Sequence, residues 1–332
     1  MTDGVVAAVP VDEVLASATV VSLPMRVRFR GITVREVLLL RGPAGWGEFA
    51  PFPEYGDVES AAWLRSAIES AWLGPPPAVR SSIPVNATVP AVAPAQVPEI
   101  LARFPGARTA KVKVAEKGQT LADDVARVAA VREHVDQVRV DANGGWTVDE
   151  AVTALSALTA GGELQYAEQP CATVPELVEV RRRLAASGTV VPIAADESIR
   201  RADDPMRVVR AGAADVAVVK VAPLGGTRAL LALADELSGH GVPVVVSSAL
   251  DSAVGIGAGL AAAAALPRLD LACGLGTGGF FVDDVAAPSV MSAGELPVAE
   301  VSPDPERLTA LAASPDRTSW WLERLTRCHA LL

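Results

Sequence analysis

The sequence predicts an α/β fold, a closed barrel of parallel βα units preceded by a small α+β module, and three observations predict it. From about residue 82 onward, eight short apolar segments (84–89, 110–114, 137–140, 164–167, 190–195, 216–219, 242–246 and 269–273) each precede a stretch of helical character. The residues that end the middle segments, Lys113, Asp141, Glu168, Asp196, Lys220 and Ser247, recur every 24 to 28 positions, the beat of a repeated βα unit. At 332 residues, half of them hydrophobic, the chain has room for a barrel of about 250 residues with a smaller module beside it. An open doubly wound sheet would place a glycine-rich phosphate turn after its first strand, and none follows Val89.

Residues 20–41 alternate in β-prone runs, with Arg26, Arg28 and Arg30 interleaved with Val27 and Phe29 around a turn at Gly31, the pattern of a hairpin. The glycines and prolines of 42–56 read as a loop. With Trp46, Phe49, Phe52 and Tyr55 in a chain only 4% aromatic, that loop either covers a site or plugs a local hydrophobic gap. Residues 58–73 read as an amphipathic helix ended by Gly74-Pro75-Pro76-Pro77. The expected organisation is thus an α+β module over 1–82, a barrel over 83–287, and a segment over 288–332 that carries Trp320 and Trp321 and packs back on the module. The uncharged stretch 252–267 is too short for the ~20 residues that span a bilayer and reads as a buried helix.

The net charge of −10 and a pI of about 4.9 argue against nucleic-acid or anionic-membrane binding. The Arg181-Arg182-Arg183 run is expected to be a solvated helix face. Cys171, Cys273 and Cys328 are few and unpatterned, as in a reducing cytoplasm, and the N-terminus lacks the basic and apolar runs of a signal peptide. A cytoplasmic protein is expected, with monomer and homo-oligomer both open.

The chemistry centres on segment 110–114. Side chains alternate along a strand, so Lys111 and Lys113 share one face. The chain uses only 4 lysines, Lys111, Lys113, Lys117 and Lys220, against 25 arginines. Two neighbouring ammonium groups lower each other's pKa, which suits a base near neutral pH; the alternative is a pair of solvated lysines on an exposed edge strand. The residues just past the next strands are Asp141-Ala142-Asn143, Glu168-Gln169-Pro170, Asp196-Glu197-Ser198 and Lys220. The C-terminal strand ends of a barrel hold its active site. Three carboxylates gathered there suit Mg²⁺, a hard ion that takes oxygen ligands; the alternative is that they cap the following helices. None of the histidines, His134, His240 and His329, stands where a base would. Lys113 and Lys220 on opposite sides of a metal suit removal of a proton next to a carboxylate, with the resulting enediolate stabilised.

These residues resemble the enolase superfamily, and within it the o-succinylbenzoate synthases of menaquinone biosynthesis. The resemblance rests on Lys111-Val112-Lys113, Asp141-Ala142-Asn143-Gly144-Gly145-Trp146, Glu168-Gln169-Pro170, Asp196-Glu197-Ser198, Lys220 with Pro223-Leu224-Gly225-Gly226, 247–252, and Gly274-Leu275-Gly276-Thr277. Phe29-Arg30-Gly31-Ile32-Thr33 and 45–49 add to it. The resemblance implies a (β/α)₇β TIM-like barrel with an α+β capping domain, Mg²⁺ (or Mn²⁺ in its place) on Asp141, Glu168 and Asp196, and a small carboxylate substrate. It implies that Lys113 takes the α-proton and then helps the hydroxyl leave in a syn elimination, while Lys220 stabilises the enediolate. Lys111 would tune Lys113, with Asn143 and Glu197 in support. Ser247, Ser248 and the backbone near Gly274 and Leu275 are the implied substrate-carboxylate contacts.

The N-succinylamino acid racemases resemble these synthases, and two opposed lysines also suit their two-base chemistry. The dipeptide epimerases carry an acidic motif where this chain has Gly274-Leu275-Gly276, and mandelate-racemase-like chemistry needs a histidine base that is missing. A non-catalytic binding barrel, insensitive to Mg²⁺, is the alternative from another class.

Overall fold

A computed structural model of the chain describes residues 6, 8–29, 31–201 and 204–332. The expectations drawn from residues 1–4 and from Arg30 lie outside the described residues.

Strands β1 (Ala18–Phe29) and β2 (Ile32–Gly42) form the expected hairpin, in one register from Ala18 opposite Leu40 to Pro24 opposite Val34, with a shift in register before Phe29 meets Ile32. Gly31 turns it at φ +80°, a conformation that costs glycine little. A third strand, β3 (Gly45–Phe49), pairs with β2 inside the stretch expected to be loop. Its glycines are the reason: a Cβ on Gly47 would lie 1.9 Å from the carbonyl oxygen of Ala67, so only glycine lets the helix Asp57–Ile68 pack directly on the strand. That helix runs on through a π-helical turn, Glu69–Leu73, and stops at Gly74, φ +67°.

The barrel departs from the expected strands at both ends. Segment 84–89 divides: β4 (Ser82–Pro84) pairs antiparallel with β12 (Glu295–Pro297) in a separate ribbon, and β5 (Ala87–Val89) enters the barrel. The parallel sheet continues through β6 (Thr109–Lys113), β7 (Gln137–Asp141), β8 (Tyr166–Glu168), β9 (Ile193–Ala195), β10 (Val216–Val219) and β11 (Val244–Val246), each beside its predecessor. Segment 269–273 forms no strand. Instead Cys273 bridges Val85 and Gly274 bridges Ser247, both parallel, with Cys273 N donating to Pro84 O at 2.7 Å and Gly274 N to Val246 O at 2.8 Å. Those two contacts close the sheet into a ring of eight positions.

Three successive helices begin with the same device. Thr120, Thr147 and Thr173 cap Leu121–Arg132, Val148–Ala160 and Val174–Ala186, and Asp123, Glu150 and Glu176 return the bond in a capping box. Each cap contributes about 1 kcal/mol, and each fixes where the preceding strand-end loop finishes. Inside the ring, Tyr166, Ala194, Val216, Val218 and Val245 form a small apolar cluster. Arg139, fully buried, lies 4.7 Å over the Tyr166 ring and donates to Gln165 (2.6 Å), Asn86 (3.1 Å) and Ala272 O (2.7 Å). This plug floors the site; a buried guanidinium is tolerable there because these acceptors replace water.

The helices Pro305–Ala310 and Pro315–His329 follow β12. Trp321 packs edge-on against Phe49 at 5.8 Å and donates to Glu36 at 2.9 Å. Arg324 donates to the carbonyls of Pro51, Phe52 and Tyr55 and to Ser60 Oγ, tying down the aromatic segment after β3. Phe49, Phe52 and Tyr55 are buried, so that segment is a hydrophobic plug. Among the described residues no helix is long and apolar enough to cross a membrane; Ala253–Ala265 has 13 residues and is mostly buried.

Candidate active site

The strand register sets the site. Thr88 lies beside Lys111, Lys113 beside Asp141, and Asp141 beside Glu168, so neighbouring inward side chains stand at nearly one level. β6 and β10 are four places apart in the ring, which puts Lys113 and Lys220 on opposite walls. The pocket between them holds about 470 Å³ of empty space, part of it open to solvent. Its lining includes Lys111, Lys113, Asp141, Asn143, Asp196, Lys220, Ser247, Ser248 and Gly274. Among the described residues, four of the five non-glycine residues with positive φ, Ala115, Asn143, Gln169 and Leu250, come within four residues of a barrel strand's end, so backbone strain gathers at this mouth.

Each carboxylate is engaged by an ammonium group. Lys111 Nζ donates to Glu168 Oε1 at 2.8 Å and lies 3.2 Å from Asp141 Oδ2; Lys113 Nζ meets Asp141 Oδ2 at 2.6 Å; Lys220 Nζ meets Asp196 Oδ2 at 2.6 Å. Among the described residues no three His, Cys, Asp or Glu are gathered closely enough to hold a metal ion by themselves. The lysines stand between the carboxylates. The electrostatics follow: burial alone would lower the pKa of Lys111, but Glu168 and Asp141 outweigh it and hold the pKa well above the usual lysine value. This corrects the expected depression of Lys111, because the close neighbours of Lys111 are carboxylates. Glu168 is pushed up to about 7, first by burial and then by the Asp141 and Asp196 charges. At Asp141 burial acts upward but Lys113 and Lys111 prevail, and its pKa falls.

The donor set nonetheless fits a hard divalent cation. Asp141, Glu168 and Asp196 are buried oxygen donors on consecutive strand ends, and the repulsion that raises Glu168 is what such an ion relieves.

The supporting residues fall as follows. Asn143 Oδ1 accepts from Lys113 Nζ at 2.6 Å, and Asn143 Nδ2 points to Glu197 Oε1 at 3.4 Å. Ser248 Oγ donates to Gly274 O at 3.1 Å and shares a 2.8 Å hydrogen bond with Thr277. A Cβ on Gly274 would lie 2.5 Å from Ser247 Oγ, so glycine keeps the strand ends together there. The buried side chain of Leu275 packs toward Gly259 and lines a neighbouring cleft, which leaves its backbone beside Gly274.

Thr88, Thr277 and Arg200 have no place in the strand-end pattern, and the pattern gives Gln169 a place without a role. Thr88 and Thr277 line the pocket, and the alternation that turned Lys111 inward turns Thr88 inward too. Gln169 Oε1 accepts from the backbone N–H of Asp196 and Ser198, both at 3.1 Å, and so clamps the next strand end. Arg200 Nε donates to Asp196 Oδ1 at 3.1 Å; its only sequence signal is helical spacing, four residues after the carboxylate.

Residues 97–302 match the enolase C-terminal domain-like family and residues 20–71 the enolase N-terminal domain-like family. A protein of Mycobacterium tuberculosis named o-succinylbenzoate synthase is 65% identical over 323 residues, 97% of each chain. One of that name from Mycobacterium marinum is 66% identical over 94% of this chain and 93% of its own. Among solved structures, muconate lactonizing enzyme from Pseudomonas fluorescens, complexed with muconolactone, superposes with a TM-score of 0.76 at 24% identity, covering 90% of this chain and 98% of that one. The Pseudomonas putida muconate lactonizing enzyme gives 0.73 at 22%, covering 89% and 98%. The strand-end lysines and carboxylates, the closed parallel ring and these matches agree: the chain belongs to the enolase superfamily, and within it groups with the proteins named o-succinylbenzoate synthase.

Proposed function

We propose that the chain is an o-succinylbenzoate synthase, which removes water from 2-succinyl-6-hydroxy-2,4-cyclohexadiene-1-carboxylate to give 2-succinylbenzoate for menaquinone biosynthesis. The observation that carries this reading is 65% identity over 97% of the chain to proteins of that name. The opposed lysines supply the chemistry.

Enolase-superfamily enzymes use a divalent metal; here Asp141, Glu168 and Asp196 would hold it, Mg²⁺ or Mn²⁺ in its place, and it would neutralise charge that develops on the substrate carboxylate. Lys113 takes the proton from the carbon next to that carboxylate, and the bonding pair moves into the carboxylate to form the enediolate. The pair then returns, the carbon–oxygen bond to the ring hydroxyl breaks, and Lys113 gives its proton to the departing oxygen. The ring becomes aromatic and one water leaves, with no net oxidation. Lys220, on the opposite wall, places positive charge over the ring while the enediolate exists. Ser247, Ser248 and Gly274 line the pocket, and the two serine side chains, with the backbone near Gly274 and Leu275, would hold the succinyl carboxylate.

The same opposed lysines favour one second activity, racemisation of N-succinylamino acids, in which each lysine exchanges a proton with one face of the carbon. The test is an ultraviolet assay of purified protein and Mg²⁺ on the cyclohexadiene carboxylate, beside an optical-rotation assay on N-succinylamino acids. Fast aromatisation with little racemisation is expected. Racemisation without aromatisation would replace the first reading by the second.

A further inference from the structure

The aromatic plug reaches the site through one hydroxyl. Tyr55 is held in place from several sides: its ring meets Phe52 at 5.7 Å and Trp63 at 6.1 Å, the Arg201 guanidinium lies 5.2 Å over it, and its carbonyl accepts from Arg324 Nη2 at 2.7 Å. Its hydroxyl accepts from Arg200 Nη1 at 3.1 Å.

Arg200 is 8% exposed and divides its guanidinium three ways. Besides Tyr55, Nε donates to Asp196 Oδ1 at 3.1 Å and Nη2 to Glu197 Oε1 at 2.6 Å. The other oxygen of Asp196 accepts from Lys220 Nζ at 2.6 Å. Glu197 Oε1 leads through Asn143 to Lys113 Nζ. One planar fork therefore connects the N-terminal module to both lysines and to a carboxylate read above as a metal ligand. A guanidinium suits this place because its donors are fixed relative to one another, whereas an ammonium on a flexible stem would set a charge without setting an angle.

We propose that Arg200 is a positioning residue that fixes the orientation of Asp196 toward the divalent ion, and that the Tyr55 hydroxyl transmits the docking of the N-terminal module to that carboxylate through Arg200. The inference rests on Asp196 as a ligand of the metal. It makes correct seating of the aromatic plug a condition for tight ion binding, although no residue of the plug lines the pocket.

The experiment is a double-mutant cycle on the full chain, with Mg²⁺ affinity measured by calorimetry in Tyr55→Phe, Arg200→Met and the double variant, and steady-state kinetics beside it. Loss of a partner that orients a metal ligand typically costs 10- to 100-fold in affinity, the effect expected for Arg200→Met. Tyr55→Phe keeps the ring packing and is expected to weaken Mg²⁺ about three- to tenfold, part of the worth of one hydrogen bond to a charged group being passed on to the ion. In the Arg200→Met background Tyr55→Phe is expected to do nothing further. Both single variants are expected to lower kcat with KM for the organic substrate nearly unchanged. If Arg200→Met does not fold, Arg200→Lys, which keeps the charge and loses the fork, replaces it in the cycle. Unchanged Mg²⁺ affinity in Tyr55→Phe, or equal effects of Tyr55→Phe in both backgrounds, overturns the proposal. An Asp196→Asn control with undiminished Mg²⁺ affinity would instead overturn the ligand reading, and the inference with it.

Discussion

Glu48, in β3, is a carboxylate from the N-terminal module buried against the barrel, and it makes stability depend on pH in a calculable way. Its Oε2 accepts from Ser252 Oγ at 2.6 Å, Ser252 N at 3.1 Å and Gly255 N at 2.9 Å, capping the helix Ala253–Ala265 from another part of the chain. Burial first, and then the neighbouring Asp251 carboxylate, push its pKa from 4.5 up to about 8; Ser252, Arg35 and Gly255 act the other way. The folded protein thus keeps a proton that the unfolded chain releases above pH 4.5, so this group's contribution to stability falls as pH rises toward 8. Each pKa unit is worth about 1.4 kcal/mol, and between pH 6 and 8 the loss comes to about 2 kcal/mol once titration in the folded state is included. Unfolding entropy of about 2.1 cal/mol/K per residue turns that into about 3 °C of Tm for a chain of this length. Glu48→Gln removes the titration while its amide oxygen can take the same three donors. Thermal melts of wild type and Glu48→Gln at pH 6, 7 and 8 are expected to show the wild-type Tm falling about 3 °C relative to the variant. A difference that stays constant, or grows in favour of the wild type, would refute the reasoning.

Two further substitutions test the pocket and the packing of the N-terminal module on the barrel. Lys220→Arg keeps a cation opposite Lys113 but cannot exchange a proton; dehydration is expected to fall yet remain measurable by ultraviolet assay, while any N-succinylamino acid racemisation is lost. Gly226 holds φ +132°, and a Cβ there would lie 2.7 Å from the Glu69 carboxylate. Gly226→Ala is therefore expected to cost about 2 to 4 kcal/mol in denaturant titration through backbone strain and displacement of that side chain.

The part of the site legible in the sequence is the part governed by strand geometry. Alternation put Lys111 and Lys113 on one face, and the repeat put Asp141, Glu168, Asp196 and Lys220 at successive strand ends. Partners across the fold left no such mark. Lys111 reads locally as one of two like charges, yet its pKa is set by Glu168 and Asp141, which neighbouring strands supply. Arg200 and Tyr55 lie 145 positions apart in the chain and meet only when the plug docks. The strand Gly45–Phe49 was hidden because the glycines and prolines around it usually mark a loop, whereas here Gly45 starts the strand and Gly47 admits a helix. Segment 269–273 has the apolar content of a strand, but the barrel needs from that stretch only the bridges made by Cys273 and Gly274.

The central claim is that Lys113 moves the proton, and Lys113→Ala tests it most directly. With the fold verified by circular dichroism, turnover of the cyclohexadiene carboxylate at saturating Mg²⁺ is expected to fall by at least the 10² to 10⁴ typical of a lost general acid–base group. Calorimetric Mg²⁺ affinity is expected to stay within a few fold of wild type. Dehydration at near wild-type rates in Lys113→Ala would contradict the account.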